Sequence, residues 1–142
     1  MSLLKGIYVL IFLLNENIIV SIGALGEIFF ERGLYAYIGS AQGGLKQRLN
    51  RHLRRTKQKF WHIDYLLDND CVRILRVFHK NADKSEECKH AKKLASLGIS
   101  INDFGSSDCN CESHLFRIKC RNTLNEFLYS SRFSFFENCT GR

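Results

Sequence analysis

Two hydrophobic periodicities divide the chain. Tyr8 to Leu14 is an unbroken apolar run of strand formers, and Ile18-Ile19-Val20-Ser21-Ile22 is a second one after the polar turn Asn15-Glu16-Asn17. Together they predict a β-hairpin. Gly23, Gly26 and Gly33 bracket Ile28-Phe29-Phe30, and Leu34 to Gly39 offers another strand. From Gly44 the period changes. Leu45, Leu49 and Leu53 recur at i, i+4 and i+8 with basic residues between them, which predicts an amphipathic helix, and Phe60, Ile63 and Leu67 predict a second. Val72 to Phe78 returns to strand character. Asp83 with Glu86 three residues on reads as a capping box, opening a helix that stops at Gly98 with Lys92 and Lys93 near its C-terminal end. A loop from Asn102 to Cys111 then leads to a strand, His114 to Ile118, and to a terminal helix around Leu124 to Tyr129.

The 142 residues are 45% hydrophobic and 12% aromatic, enough for one core and too few for two, so residues 1–142 read as a single domain. A flexible tail is expected after about residue 131. The net charge of +7 and pI near 9.2 attract polyanions, and the excess is local. Lys46, Arg48, Arg51, Arg54, Arg55, Lys57 and Lys59 fall in one stretch, and no Asp or Glu occurs from Arg32 to Ile63. Without those seven the remaining fourteen basic residues balance the fourteen acidic ones. The segment has only a thin aliphatic stripe, so nucleic acid is preferred to a membrane surface as its partner. The apolar run at the N-terminus is short for a membrane span and lacks a cleavage-site pattern. A cytoplasmic setting is therefore expected, with the six cysteines reduced or metal-bound rather than bridged.

Two tripeptides then carry a resemblance. Gly6-Ile7-Tyr8 opens the first strand, and Tyr37-Ile38-Gly39 closes a later one just before the basic helix that holds Arg48. Downstream lie Leu45-x-x-Arg48-Leu49-x-Arg51-His52, Trp61-His62-Ile63-Asp64-Tyr65-Leu66, Glu87-Cys88, and Phe104-Gly105-Ser106-Ser107-Asp108-Cys109-x-Cys111-x-x-His114. Across about residues 5 to 118 the chain resembles the GIY-YIG nuclease superfamily, in a branch of short proteins sometimes joined to DNA-repair glycosylases of the endonuclease III type. The resemblance implies a small α/β (α+β) domain, with a central, mainly antiparallel sheet of three or more strands flanked by helices. It implies Tyr8 as the group that activates water, Tyr37 and Arg48 as residues that orient or neutralise the scissile phosphate, and Glu87 as the ligand of a Mg²⁺ or Mn²⁺ ion. It also favours DNA over RNA and a repair glycosylase as partner.

The residues themselves add to this. A phenol with pKa near 10 is about 0.1% ionised at neutral pH, so Tyr8 needs surroundings that lower its pKa. Arg48 and His52 lie one turn apart on one flank of their helix, where a planar guanidinium suits phosphate. His52 is read either as a proton-transfer group or as a surface histidine. Glu87 shares a helix face with Ala91 and Leu94, whereas Glu86 sits at the capping position, so Glu87 is the better metal ligand. Cys109-x-Cys111-x-x-His114, with Cys88, His62 and His90 as potential neighbours, carries softer ligands that suit a structural Zn²⁺; packing of buried thiols is the alternative. Ser106, Ser107 and Asp108 form either a turn or part of a further site with His62. The leading expectation is a metal-dependent DNA endonuclease in repair or processing. The others are a non-catalytic nucleic-acid-binding accessory module and an RNA-directed relative.

Overall fold

The first apolar run shows no alternation because β1 (Gly6–Leu14) is covered on both faces. Tyr8, Leu10, Phe12 and Leu14 enter one hydrophobic cluster, and Val9 and Ile11 enter another on the opposite side. Its edges are occupied as well. β1 pairs antiparallel with β4 (Gly33–Ala41) and with β5 (Val72–Lys80), the second ladder shifting register at Ile11/Phe12. The computed structural model describes residues 5–54, 58–106 and 109–136.

The hairpin predicted for the first two runs does not form. β2 (Ile18–Ser21) instead pairs with β3 (Glu27–Phe30) through a single 3-10 turn, Gly23–Leu25, to make a separate two-stranded sheet. The reason is competition for an edge: two nine-residue strands flank β1, and a four-residue strand offers fewer ladder bonds. The main sheet continues outward through β7 (Leu115–Ile118) and β6 (Gly98–Ser100) on the β4 side and β8 (Ser134–Phe135) on the β5 side. The order is β6-β7-β4-β1-β5-β8, and every pairing among the described residues is antiparallel. The hydrophobic pattern does not predict β6 or β8. Within the tail expected to be flexible after residue 131, Ser134 and Phe135 pair with β5 and Phe136 is buried; residues 137–142 lie outside the described residues.

Four helices lie among the described residues, making the fold mixed α+β. α1 (Leu45–Leu53) and α2 (His62–Leu67) cover one face of the sheet through Leu45, Leu49, Ile63, Leu66 and Leu67. α3 (Ser85–Ala95) and α4 (Arg121–Ser130) cover the other through Ala91, Leu94, Leu124, Phe127 and Leu128. The capping box predicted for α3 does not form. Lys84 is the N-cap, the Asp83 carboxylate reaches Lys5 at 3.1 Å, and Glu86 lies 3.9 Å from both Lys89 and His90. Asp83 is thus drawn to a cation on another element rather than to the helix amides. That helix also stops at Ala95, short of Gly98, which begins β6. No helix among the described residues is long and apolar enough to cross a membrane.

Candidate functional site

At the end of the sheet where β1 begins and β4 finishes, the ladder sets Tyr8 opposite Gly39. A side chain at Gly39 would overlap the Tyr8 ring, so the glycine lets that ring lie across its neighbour strand. Gly6 has a parallel role: a Cβ there would overlap the carbonyl of Lys80 on β5. The two glycines of the paired tripeptides therefore permit close approach.

Around this point lies a cavity of about 290 Å³. Tyr8 and Tyr37 contribute from β1 and β4, Arg48 from α1, Trp61 and His62 from the start of α2, Glu87 from α3, and Gly105 from the loop before β7. Tyr8, Tyr37, Arg48 and Glu87, separated along the sequence, converge on one site. Arg48 donates to the Ser40 carbonyl at 3.1 Å and lies over the Trp61 ring at 4.2 Å, which holds the guanidinium at the wall. The Tyr8 and Tyr37 rings are 6.4 Å apart.

Behind Tyr8 runs a buried polar chain. The Tyr8 hydroxyl is 2.8 Å from His52 Nε2, and His52 Nδ1 is 4.0 Å from Asp64 Oδ1. His52 is fully buried, so it is not a surface histidine; it sits beside the leucine stripe of α1 as that face packs on the sheet. Asp64 is fully buried too and accepts from both Arg51 nitrogens at 2.8 and 2.9 Å and from the amides of Phe60 and Trp61 at 2.8 and 3.0 Å. Burial alone would raise its pKa. The Arg51 hydrogen bonds and the two amides outweigh burial and hold it below the usual carboxylate range.

The expectation that its surroundings lower the Tyr8 pKa is reversed. Burial pushes the phenol well up, Arg48 opposes this in part, and Glu87 and Asp64 add to the rise. Tyr37 is raised chiefly by burial as well. Both hydroxyls are therefore protonated at neutral pH. The sequence reading does not single out Asp64. Its signal is nevertheless there: it is the first acid after the long acid-free basic stretch, three residues beyond Trp61.

The basic segment is less bare than its sequence implies. Arg51 is held by Asp64 and lies over Trp61 at 4.5 Å, and Lys59 lies 3.3 Å from Asp68, so part of the expected phosphate-binding charge is already matched. Lys46 and Arg54 are exposed at the surface of that segment. Arg55, Lys57, Ser107 and Asp108 lie outside the described residues. Exposed Phe60 and Trp61 add aromatic faces at the cavity.

On the opposite wall Glu87 is only 7% exposed, and its Oε2 lies 3.2 Å from Nδ1 of His114. That approach is off the line of an aligned hydrogen bond, so it is an electrostatic contact. Behind His114, Cys88, Cys109, Cys111 and His114 form a group that could hold a metal ion. Burial and the neighbouring sulfurs push the Cys111 thiol up to about 12, and burial raises Cys88. The two other histidines considered as neighbours are elsewhere. His62 accepts the Gly105 amide at Nδ1, 2.9 Å, and burial lowers its pKa; His90 contacts the Glu86 carbonyl, Lys80 and Phe133. The Ser106 carbonyl accepts the Cys109 amide at 3.3 Å.

No curated protein and no solved structure matches the chain. The family described as Domain of unknown function DUF123 matches residues 7–135, nearly the whole length, and the chain belongs to that family.

Proposed function

We propose that this protein is a divalent-metal-dependent endonuclease that hydrolyses phosphodiester bonds in DNA. The observation that carries this reading is the convergence of Tyr8, Tyr37, Arg48 and Glu87 on one polar cavity beside exposed aromatic and basic side chains. Phosphodiester hydrolysis needs a route for the proton of water, a countercharge for the transition state and a group that aids the leaving oxygen. Tyr8 supplies the proton route as a neutral relay. When the His52 proton resides on Nδ1, Nε2 accepts from the Tyr8 hydroxyl, so the phenol passes a proton inward as it takes one from water, and no free phenolate is required. Asp64 lies on the far side of the imidazole, its Oδ1 4.0 Å from Nδ1.

Arg48 supplies fixed positive charge to the phosphate, and Tyr37 donates a hydrogen bond from a hydroxyl that burial keeps protonated. Glu87 is the hard oxygen donor that would hold Mg²⁺ or Mn²⁺; a single carboxylate in a polar cavity fits an ion that retains much of its water, and the ion would add Lewis-acid charge. Phe60 offers an exposed aromatic ring for a base, and the net charge of +7 favours a polyanion. The resemblance to GIY-YIG nucleases favours DNA over RNA and a repair glycosylase as partner.

A second reading, a non-catalytic nucleic-acid-binding module, draws on the raised pKa values of both tyrosines, which suit hydrogen-bond donors as well as a relay. Incubation with labelled duplex, branched and single-stranded DNA and with RNA, with Mg²⁺, Mn²⁺ or chelator, separates the two. Metal-dependent cleavage of DNA supports the nuclease. Tight binding without cleavage on any substrate supports the module.

A further inference from the structure

Cys88 comes from the first turn of α3, and Cys109, Cys111 and His114 from the segment before β7, yet their ligand atoms all lie within 4.8 Å of one another. Three sulfurs and an imidazole are a complete tetrahedral donor set for zinc, and sulfur is a poor donor for Mg²⁺ or Ca²⁺. The spacing agrees. A tetrahedron with zinc–sulfur and zinc–nitrogen bonds of ordinary length has a sulfur–nitrogen edge of about 3.6 Å. Cys109 Sγ and His114 Nε2 are 3.4 Å apart. A disulfide would use two of the three sulfurs and leave the third, and the imidazole, without a reason to be there.

A second observation points the same way. His114 is 1% exposed and has no aligned hydrogen bond at Nδ1, which faces Glu87 Oε2 at 3.2 Å, while Nε2 faces the sulfurs. A metal-bound histidine holds the ion through one nitrogen and turns the other toward a carboxylate, and His114 Nδ1 faces one here, though without an aligned bond. Here that carboxylate also lines the cavity on its other side.

We propose that Cys88, Cys109, Cys111 and His114 bind one zinc ion, and that the ion, through the His114 ring, holds Glu87 in place at the cavity. The second half rests on the hydrolytic reading of that cavity; the first half is independent of it. Binding forms three zinc–sulfur bonds and one zinc–nitrogen bond, and the three thiols release their protons to solvent. His114 keeps a proton on Nδ1, the nitrogen that faces Glu87 Oε2 at 3.2 Å, and no redox step occurs.

The test uses the full chain, purified without a metal-binding tag and under reducing conditions. About one zinc per chain is expected by elemental analysis, and replacement by Co²⁺ should give the visible bands of a tetrahedral site with intense sulfur-to-metal charge transfer. Chelator competition should show large losses of zinc affinity in Cys88→Ser, Cys109→Ser and Cys111→Ser, and none in Cys71→Ser or Cys120→Ser. Glu87→Ala should weaken zinc binding about 10- to 100-fold, and Glu87→Gln, which keeps the shape but loses the charge facing Nδ1, should weaken it less. Wild-type protein that holds no zinc and takes up no Co²⁺ overturns the site, as does wild-type affinity in Cys109→Ser and Cys111→Ser. Should the cysteine variants fail to fold, the cobalt spectrum of the wild type decides alone. An unchanged affinity in Glu87→Ala, or full cleavage by zinc-free protein, overturns the positioning half. Zinc bound with the expected ligands but no cleavage of any substrate supports the site and sinks the nuclease.

Discussion

The two walls of the cavity differ in the side chains that meet their buried carboxylates, guanidinium and imidazole on one, imidazole and thiols on the other. On the α1/α2 wall, Asp64 accepts four hydrogen bonds, Arg51 neutralises it, and His52 Nε2 lies against the Tyr8 hydroxyl, while its Nδ1 stands 4.0 Å from Asp64, outside an aligned bond. On the α3 wall, Glu87 faces a buried imidazole without an aligned bond, and behind it stand thiols that burial keeps protonated. An imidazole nitrogen without an aligned bond stands on both walls, and what sets the second apart is its thiols. The first wall is a preformed frame. The second carries a group that could hold a metal ion.

The largest effect that would break this contrast is on stability. Asp64→Ala leaves the Arg51 guanidinium, whose side chain is 15% exposed, and two amides without their acceptor, and is expected to lose about 3 to 5 kcal/mol in urea unfolding. Asp64→Asn keeps one acceptor and should lose less. A loss under about 1 kcal/mol for the alanine variant would deny that this wall is a rigid frame.

Next comes Tyr8→Phe. It removes one hydrogen bond to His52 and keeps the ring against Gly39, so stability should fall by at most about 1 to 2 kcal/mol. Single-turnover cleavage should slow by roughly 10²-fold, with DNA affinity nearly intact. Equal rates for wild type and variant would remove Tyr8 from the chemistry. Glu86→Gln, on the flank of α3 toward Lys89 and His90, should change the rate little.

The basic segment gives a smaller, graded effect. Arg54→Ala, Arg55→Ala and Lys57→Ala together should reduce the slope of log affinity against log salt by about 0.9 for each phosphate that is no longer neutralised. Arg51→Ala should act mainly on stability, because Asp64 holds that side chain. A slope that responds to Arg51 alone would reverse this division of roles.

The smallest effect is with pH. Burial lowers the pKa values of His62, His79 and His90 from the ordinary 6.5, so below that pH the unfolded chain binds more protons than the folded one. Stability should therefore decline as pH falls from about 6.5 toward the folded values. Asp64 adds a further loss only near and below about pH 4, as pH falls from its unfolded value through its lower folded one. Urea midpoints from about pH 8 to 5 check the first window, and His79→Gln should make the decline shallower. A flat profile across it would argue against buried neutral imidazoles.

Much of this is legible in the chain. Leu45, Leu49 and Leu53 mark α1, the unbroken run from Tyr8 marks a strand covered on both faces, and Tyr8, Tyr37, Arg48 and Glu87 stand out as residues before geometry places them on one cavity. Elements held mainly by partners are not legible. β6 and β8 are three and two residues long and exist because β7 and β5 offer open edges. The pairing of β2 with β3 is hidden because hairpin patterns do not say which edges are already taken.

Local features follow from the amino-acid order alone: periods of burial, glycines where backbones meet, and the residue types that a phosphate or a metal would require. Which charges cancel is settled only in three dimensions. Asp64 follows the basic stretch by position, but only the packing of α2 beside α1 turns it into the partner of Arg51 and the far end of a chain from Tyr8. Cys88 gains its place beside Cys109 and Cys111 in the same way, when α3 packs near β4 and β6 and the loop before β7 folds against its first turn. The physical reason is range. Periodicity reflects neighbours a few residues apart, whereas hydrogen bonds and ion pairs act over a few ångströms between groups that can be distant in sequence.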